Sequence, residues 1–221
     1  MNKQALSCTA AAVCAAALIA LTSGCAPLVV GGAAVATGAT VSTLTDRRSA
    51  GAVVNDEVLE KRINWEISQA LGKNIDSHIT VTAYNGKVLL TGEVATEQGR
   101  QIAVQTAERS LDVASVINEL AVMENAGIGQ RLSDSSLATK VRSRLVTTEN
   151  VYLSQMKVVV ERGVVYLMGI VTPQENELAL KVASRVSGAA KVISYCDTMS
   201  AERIAQRMRD IQGQQNKQQN Q

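Results

Sequence analysis

A chain of 221 residues with no Phe and a single Trp has to build its cores from aliphatic side chains, which favours small domains over one large one. The formal charge of +2 hides an asymmetry: residues 26–130 carry eight Lys/Arg against twelve Asp/Glu, and residues 131–221 carry thirteen against eight. Halves of opposite sign are suited to different partners, and one His with four scattered Cys excludes the usual metal-ligand spacings.

The chain opens with Lys3 and a small-apolar run from Ala10 to Leu21, interrupted by Cys14. Such a run is too short to span a bilayer comfortably and reads as a cleaved signal, residues 1–24. It ends in Leu21-Thr22-Ser23-Gly24-Cys25 rather than in an A-x-A-like site. That ending resembles the lipobox of bacterial lipoproteins, with Thr22 in place of the usual Leu. The resemblance implies a mature chain starting at an acylated Cys25. Ala26 and Pro27 follow it, and the absence of Asp there resembles outer-membrane sorting. Cys8 and Cys14 would leave with the signal, so Cys196 stands alone and reads as a small core residue. Residues 25–55, with Gly31-Gly32-Ala33-Ala34 and no clear period, are expected to be a flexible tether.

A first module is expected over residues 56–124. Its opening helix starts near Asp56, read as a cap, with Leu59, Ile63, Ile67 and Leu71 on one face. Val58 and Trp65 lie off that stripe and are expected to contact the other module or a protein partner. A hairpin follows, Val81 to Val94, turning at Asn85-Gly86. Gly92, late in its second strand, marks a bulge or a close approach. A helix from Glu97 to Leu111 and a strand from Ala114 to Ala121 complete the module. The lone His78 stands just before a strand without a Cys, Asp or His at metal spacing, and reads as a loop or strand-edge residue.

A second module, residues 134–199, repeats the first at an offset of 77. Its hairpin, Val158 to Val171, turns at Arg162-Gly163 and places Gly169 opposite Gly92 of the first copy. A helix from Gln174 to Val186 and a strand from Ala190 to Cys196 follow. The first helix, starting near Asp134, turns Leu137, Val141 and Leu145 to the core. Its other side carries Ser136, Thr139, Arg142, Ser143 and Val146. Lys140 and Arg144 lie on the flanks, and Thr147 closes the segment. A basic helix with an apolar point out of phase with its core stripe suits an anionic bilayer. At about 1 kcal/mol per Lys or Arg near such a surface, three contribute roughly 3 kcal/mol, useful once an anchor has raised the local concentration. Beyond the module, in residues 200–221, Ile204, Met208 and Ile211 mark a short amphipathic helix ending near Gly213. Its Gln/Asn/Lys tail is expected to be disordered.

The fold class that emerges is α+β: two tandem modules, each αββαβ with a three-stranded mixed sheet covered by two helices. The pattern resembles the BON domain, and the chain from signal to Cys196 is similar to dual-BON outer-membrane lipoproteins. The resemblance rests on Asp46-Arg47-Arg48-Ser49 with Gly51, Val81 to Gly92, Thr139-Lys140-Val141-Arg142-Ser143, Val165-Tyr166-Leu167-Met168-Gly169 and Ala183 to Gly188. It implies a non-enzymatic lipoprotein on the periplasmic face of the outer membrane. It further implies binding of anionic phospholipid, such as phosphatidylglycerol, through the second domain's first helix, and support of envelope integrity. Concentration at the division site and contact with the β-barrel assembly machinery would accompany it. This chain departs from the pattern at Ser136, which puts no aromatic anchor on the helix. No cofactor, catalytic group, metal or nucleic-acid partner is expected. The competing reading is a periplasmic adaptor for a protein or peptidoglycan, with the lipid as tether alone. If Cys25 carries the anchor, Cys25→Ala moves the protein from the membrane pellet to the soluble fraction on ultracentrifugation. An unchanged pelleted fraction would disprove the anchor.

Overall fold

The computed structural model describes residues 46–72 and 75–219. The signal, Cys25 and tether residues 25–45 lie outside the described residues. The first module comprises α1 (Ala50–Leu71), β1 (Ser77–Tyr84), β2 (Lys87–Val94), α2 (Glu97–Arg109) and β3 (Ser115–Val122). The second comprises α3 (Ile128–Val146), a single 3-10 turn (Leu153–Gln155), β4 (Met156–Glu161), β5 (Val164–Val171), α4 (Pro173–Ala183), β6 (Lys191–Ser194) and β7 (Asp197–Thr198). A last helix, α5, spans Ala201–Gln219.

Each sheet has its hairpin's second strand in the centre. β2 pairs antiparallel with β1 and parallel with β3; β5 pairs antiparallel with β4 and parallel with β6. β7 pairs with β5 in the register that β6 began, so the two form one edge strand interrupted at Tyr195-Cys196. A parallel neighbour needs a crossover, and α2 and α4 supply it. Thr96 caps α2 by accepting from the Gly99 N–H. Thr172 and Glu175 form a reciprocal capping box on α4, with Pro173 in its first turn.

Both central strands are buried on both faces, and the side-chain alternation divides their residues between two cores. Val88 and Leu90 face α1 and α2, joining Leu59, Ile63, Ile67, Ala103 and Ala107. Val165 and Leu167 face α3 and α4, joining Leu137, Val141, Leu145, Ala179 and Ala183. The intervening residues, Leu89 in β2 and Tyr166, Met168 and Ile170 in β5, form a third core with Tyr84 and with Ile204 of α5. The helix-free faces of the two sheets therefore cover one another. Cys196 packs half-buried against the second module's core, where burial pushes its thiol up.

The two opening helices begin earlier than the sequence implies. Ser49 caps α1 by accepting from the Ala52 N–H, and α3 starts after Gly127. Asp56 and Asp134 are therefore buried residues within helices, not caps. Asp56 accepts the N–H groups of Asn85 and Gly86 at 2.7 and 2.9 Å; Asp134 accepts those of Arg162 and Gly163 at 2.9 and 2.8 Å. All four turn residues have positive φ, 53° and 78° in the first turn, 50° and 72° in the second. This pattern belongs to the tight hairpin turn that follows strand twist. Each Asp clamps its own module's turn through orphan donors that would otherwise be unpaired.

The stretch expected to end the flexible tether is instead buried. Arg47 forms a two-point ion pair with Glu175, at 2.7 and 2.8 Å, and donates to the Ile170 carbonyl at 2.8 Å. Burial acts to raise the Glu175 carboxyl, but the Arg47 guanidinium and the Thr172 N–H hold it below the usual carboxylate range. Arg48 bonds Asp46 and Asp56 and lies 4.1 Å over the Tyr84 ring. Arg207 of α5 closes the knot, donating to the Arg47 carbonyl at 2.8 Å and to Asn85 Oδ1 at 2.9 Å. Helix α5 also departs from expectation at its far end: it continues through Gly213 to Gln219, where a disordered tail was expected.

Charged residues line the rest of the intermodule junction. Lys157 pairs with Glu60 at 2.7 Å, Lys87 with Asp197 at 2.5 Å and Arg162 with the fully buried Glu93 at 3.1 Å. Glu119 of the first module accepts from the hydroxyls of Tyr166 and Tyr195 in the second. Glu161 is buried beside Arg162; desolvation, with Glu93 and Asp134 nearby, pushes its carboxyl up to about 7.

Two outcomes follow from this arrangement. An added Cβ at Gly92 would stand 1.9 Å from the His78 carbonyl oxygen, and the φ of 110° there is one that L side chains rarely adopt. Gly92→Ala should lower stability by at least about 2 kcal/mol in chemical denaturation; an unchanged midpoint would refute the close packing. For Glu161, the folded state holds a proton between about pH 4.5 and 7 that the unfolded chain has lost. Stability from this group is present below that window and falls as pH rises through it. Glu161→Gln should therefore raise Tm at pH 8, leave it unchanged near pH 4.5 and flatten the slope between. Parallel Tm profiles for the two proteins would contradict the assignment.

Candidate functional site

Helix α3 meets its own module along one side. Asp134, Leu137, Ala138, Val141 and Leu145 are buried there. The residues read from sequence as the lipid-facing set, Ser136, Thr139, Lys140, Arg142, Ser143, Arg144, Val146 and Thr147, are all exposed. Their side chains do not act alike. Arg142 turns towards the sheet and donates to the Val158 carbonyl at 2.7 Å, covering an open acceptor of the edge strand β4. Thr139 and Thr147 donate back to carbonyls of their own helix, Ser135 and Ser143, at 3.0 and 3.2 Å. Lys140 and Arg144 take no ion-pair partner among the described residues and project from the exposed flank. Val146, 61% exposed, stands at the helix end with no apolar cover.

The same face continues beyond the segment read from sequence. Because α3 starts at Ile128, it adds Arg131 and two exposed apolar residues, Ile128 and Leu132. A helix start placed at Asp134 leaves all three in a connector. The available signal was the spacing of four between Ile128 and Leu132, which continues to Ser136 on the same side.

Trp65 and Val58 do not pack against the second module. Both are more than half exposed, together with Val54, on the side of α1 away from Leu59 and Ile63. The expected interdomain contact is thus overturned: the sheets meet through their own faces, and α1 lies on the far side of its sheet. His78 lies in β1 itself, on the wall of an open groove of about 600 Å³ between that strand and the α3–β4 side of the second module. Glu60, Lys157, Arg142 and Glu161 share the groove, but their charged groups are already engaged in ion pairs, a backbone contact or burial. Among the described residues, no three His, Cys, Asp or Glu side chains gather in a way that would hold a metal ion.

Residues 55–124 and 133–195 each match the BON domain. The chain is 38% identical over 148 residues to the 21 kDa hemolysin of Actinobacillus pleuropneumoniae, covering 67% of this chain and 76% of that one. It is 34% identical over 170 residues to the outer membrane lipoprotein DolP of Haemophilus influenzae, covering 77% of this chain and 86% of that one. Among solved structures, CdsD, a structural protein of the type III secretion system of Chlamydia trachomatis, aligns with 66% of this chain and 96% of its own. That alignment has 10% identity and a TM-score of 0.27, too slight a likeness to bear on fold or function. The matched residues include both hairpins, both central strands and both buried aspartates, and on them the chain belongs to the BON-domain family, with two copies of the domain in tandem.

Proposed function

We propose that this protein is a lipoprotein of the outer membrane, anchored through Cys25, whose second BON domain settles on anionic phospholipid through α3. The observation that carries the reading is the exposed side of that helix. Lys140 and Arg144 project from it without ion-pair partners among the described residues, next to the exposed Val146. The helix holds four basic residues against one acid, and that acid, Asp134, is buried in the hairpin clamp. Its outward charge is therefore wholly positive. The similarity to an outer membrane lipoprotein supports the location, and the lipobox-like Leu21 to Cys25 supports the anchor.

With an acyl chain holding the protein near the bilayer, weak headgroup contacts are enough to orient it. The function that fits is non-enzymatic: the folded unit binds the periplasmic leaflet where anionic lipid is enriched and supports the envelope there, the division site included. A protein partner, such as the β-barrel assembly machinery, has a separate surface available in Val54, Val58 and Trp65 of α1. That stripe is the observation that favours the adaptor reading, in which the lipid serves as tether alone.

Flotation separates the two. The mature chain carrying Cys25→Ala should float with vesicles containing phosphatidylglycerol and stay behind with vesicles of zwitterionic lipid. At about 1 kcal/mol per basic residue, Lys140→Glu with Arg144→Glu should lower partitioning by roughly 30-fold or more, and the loss should shrink at high salt. Equal flotation on both vesicle types, or no effect of the double reversal, would leave the adaptor reading.

A further inference from the structure

Helix α1 carries two apolar stripes, and its own module covers one of them. Leu59, Ile63, Ile67 and Leu71 are buried with Asp56 on the inner side. Val54, Val58 and Trp65, on the opposite side, are 62%, 51% and 64% exposed. At 100° per residue these three and Lys61 fall within about 60° of arc, along about 17 Å of helix. Their spacing alternates steps of four and three residues, the seam of a helix that packs along another helix. Gly51 and Ser68 extend the seam by one step at each end. Leu111, 73% exposed, lies beside it, since its carbonyl accepts from Arg62 at 2.7 Å.

We propose that this seam joins two copies of the chain, as an antiparallel pair of α1 helices with the two-fold axis between Leu59 and Glu60. The residues select that register. It sets Trp65 of each copy against Val54 of the other and brings Ser68 opposite Gly51, so a bulky ring always meets a smaller side chain. A Cβ added at Gly51 would meet nothing within 4 Å, which leaves open space beside the indole. Val58 of each copy lies along the stem of Lys61 of the other, and that ammonium then reaches Glu57 one residue away on the same facing helix. Glu57 and Lys61 take no ion-pair partner among the described residues. The neighbouring charges are engaged elsewhere: Asp56 with Arg48, Glu60 with Lys157 and Arg62 with Asp112. A surface that complements itself after a half-turn suits a second copy, whereas an unrelated partner requires no such symmetry. The contact is separate from the lipid-facing side of α3 and does not rest on it. With Leu111 the exposed apolar surface reaches the size, about 300–600 Å², that marks a contact site. Two copies would bury about 1,000 Å² in all, the low end for a specific interface. The dimer is therefore weak in solution and favoured where the proposed anchors hold copies in one leaflet.

The test uses the mature chain with Cys25→Ala in sedimentation equilibrium at rising concentration. The parent should pass from monomer to dimer, and the emission of Trp65, the single Trp, should shift to the blue along the same curve. Val58→Ser with Trp65→Ser should leave the circular dichroism spectrum and Tm unchanged, because both side chains are exposed, and weaken the dimer at least about thirtyfold. Glu57→Lys and Lys61→Glu should each stay monomeric where the parent dimerises. Their equimolar mixture should associate again, because a seam with two cations then faces one with two acids. A parent that remains monomeric up to about millimolar concentration, with constant Trp65 emission, would overturn the proposal. So would a dimer that the two serines leave intact, or charge variants that mixing does not rescue. Trp65 emission that shifts only when an envelope extract is added would assign the stripe to a different protein and overturn it as well.

Discussion

The arrangement of the two modules depends on two guanidinium groups taken out of water. Arg47 and Arg48 are adjacent, yet they point to opposite modules: Arg47 to Glu175 and the Ile170 carbonyl, Arg48 to Asp56 and the Tyr84 ring. Desolvating two such groups is costly, and their net contribution to stability is small or even unfavourable beside a well-packed apolar pair. What they supply is geometry. A planar guanidinium that meets a carboxylate at two points tolerates little rotation, so Arg47 sets the position of α4 relative to the start of α1. Arg48 joins the same junction to the first hairpin, because its partner Asp56 is also the clamp of the Asn85-Gly86 turn. Removing Arg48 would leave the buried Asp56 carboxylate without its partner, and removing Arg47 would do the same to the half-buried Glu175, so the damage would spread to a turn in one module and a cap in the other.

With the sheets apposed, the polar character of their facing surfaces becomes intelligible. A three-stranded sheet with helices on one side leaves its other side open, and an isolated module of this size would expose Leu89 or Tyr166 to water. Apposition buries them, at the expense of burying Thr91, Glu93 and Glu161 on the same faces. Glu93 meets Arg162, whereas Glu161 has carboxylates on two sides and is driven towards its neutral form. The junction thus combines an apolar centre with a charged end whose strength depends on pH.

Much of this was legible from the residues. The offset of 77, the two hairpins, the crossover helices and both module cores follow from periodicities that each segment states locally. The sheet-to-sheet contact was not, because a strand buried on both faces reads as one apolar run: nothing in Val164 to Val171 tells which residues face the helices and which face the other module. Asp56 and Asp134 misled for a related reason. An Asp ahead of an apolar stripe has the appearance of a cap, and its actual task, binding turn amides about thirty residues on, is a tertiary contact. That misplaced start removed Ile128 and Leu132 from the candidate surface. Asp46 to Ser49 fall within the expected flexible tether because their partners lie far away in the chain, Glu175 at a separation of 128 residues.

The two hairpin turns are equivalent in backbone and clamp, but their first residues are employed differently. Asn85 receives Arg207 from the final helix, while Arg162 reaches across to Glu93 and the Gly92 carbonyl in the other copy. Duplication produced two similar folds, and divergence at one turn position assigned each a distinct neighbour. The copies are consequently not interchangeable: a chain with their order reversed would keep two intact sheets but offer Asn where a cation must reach a buried carboxylate, and Arg where a carbonyl acceptor is required. Directionality in this protein is encoded at a position that the fold of either module, taken singly, leaves unspecified.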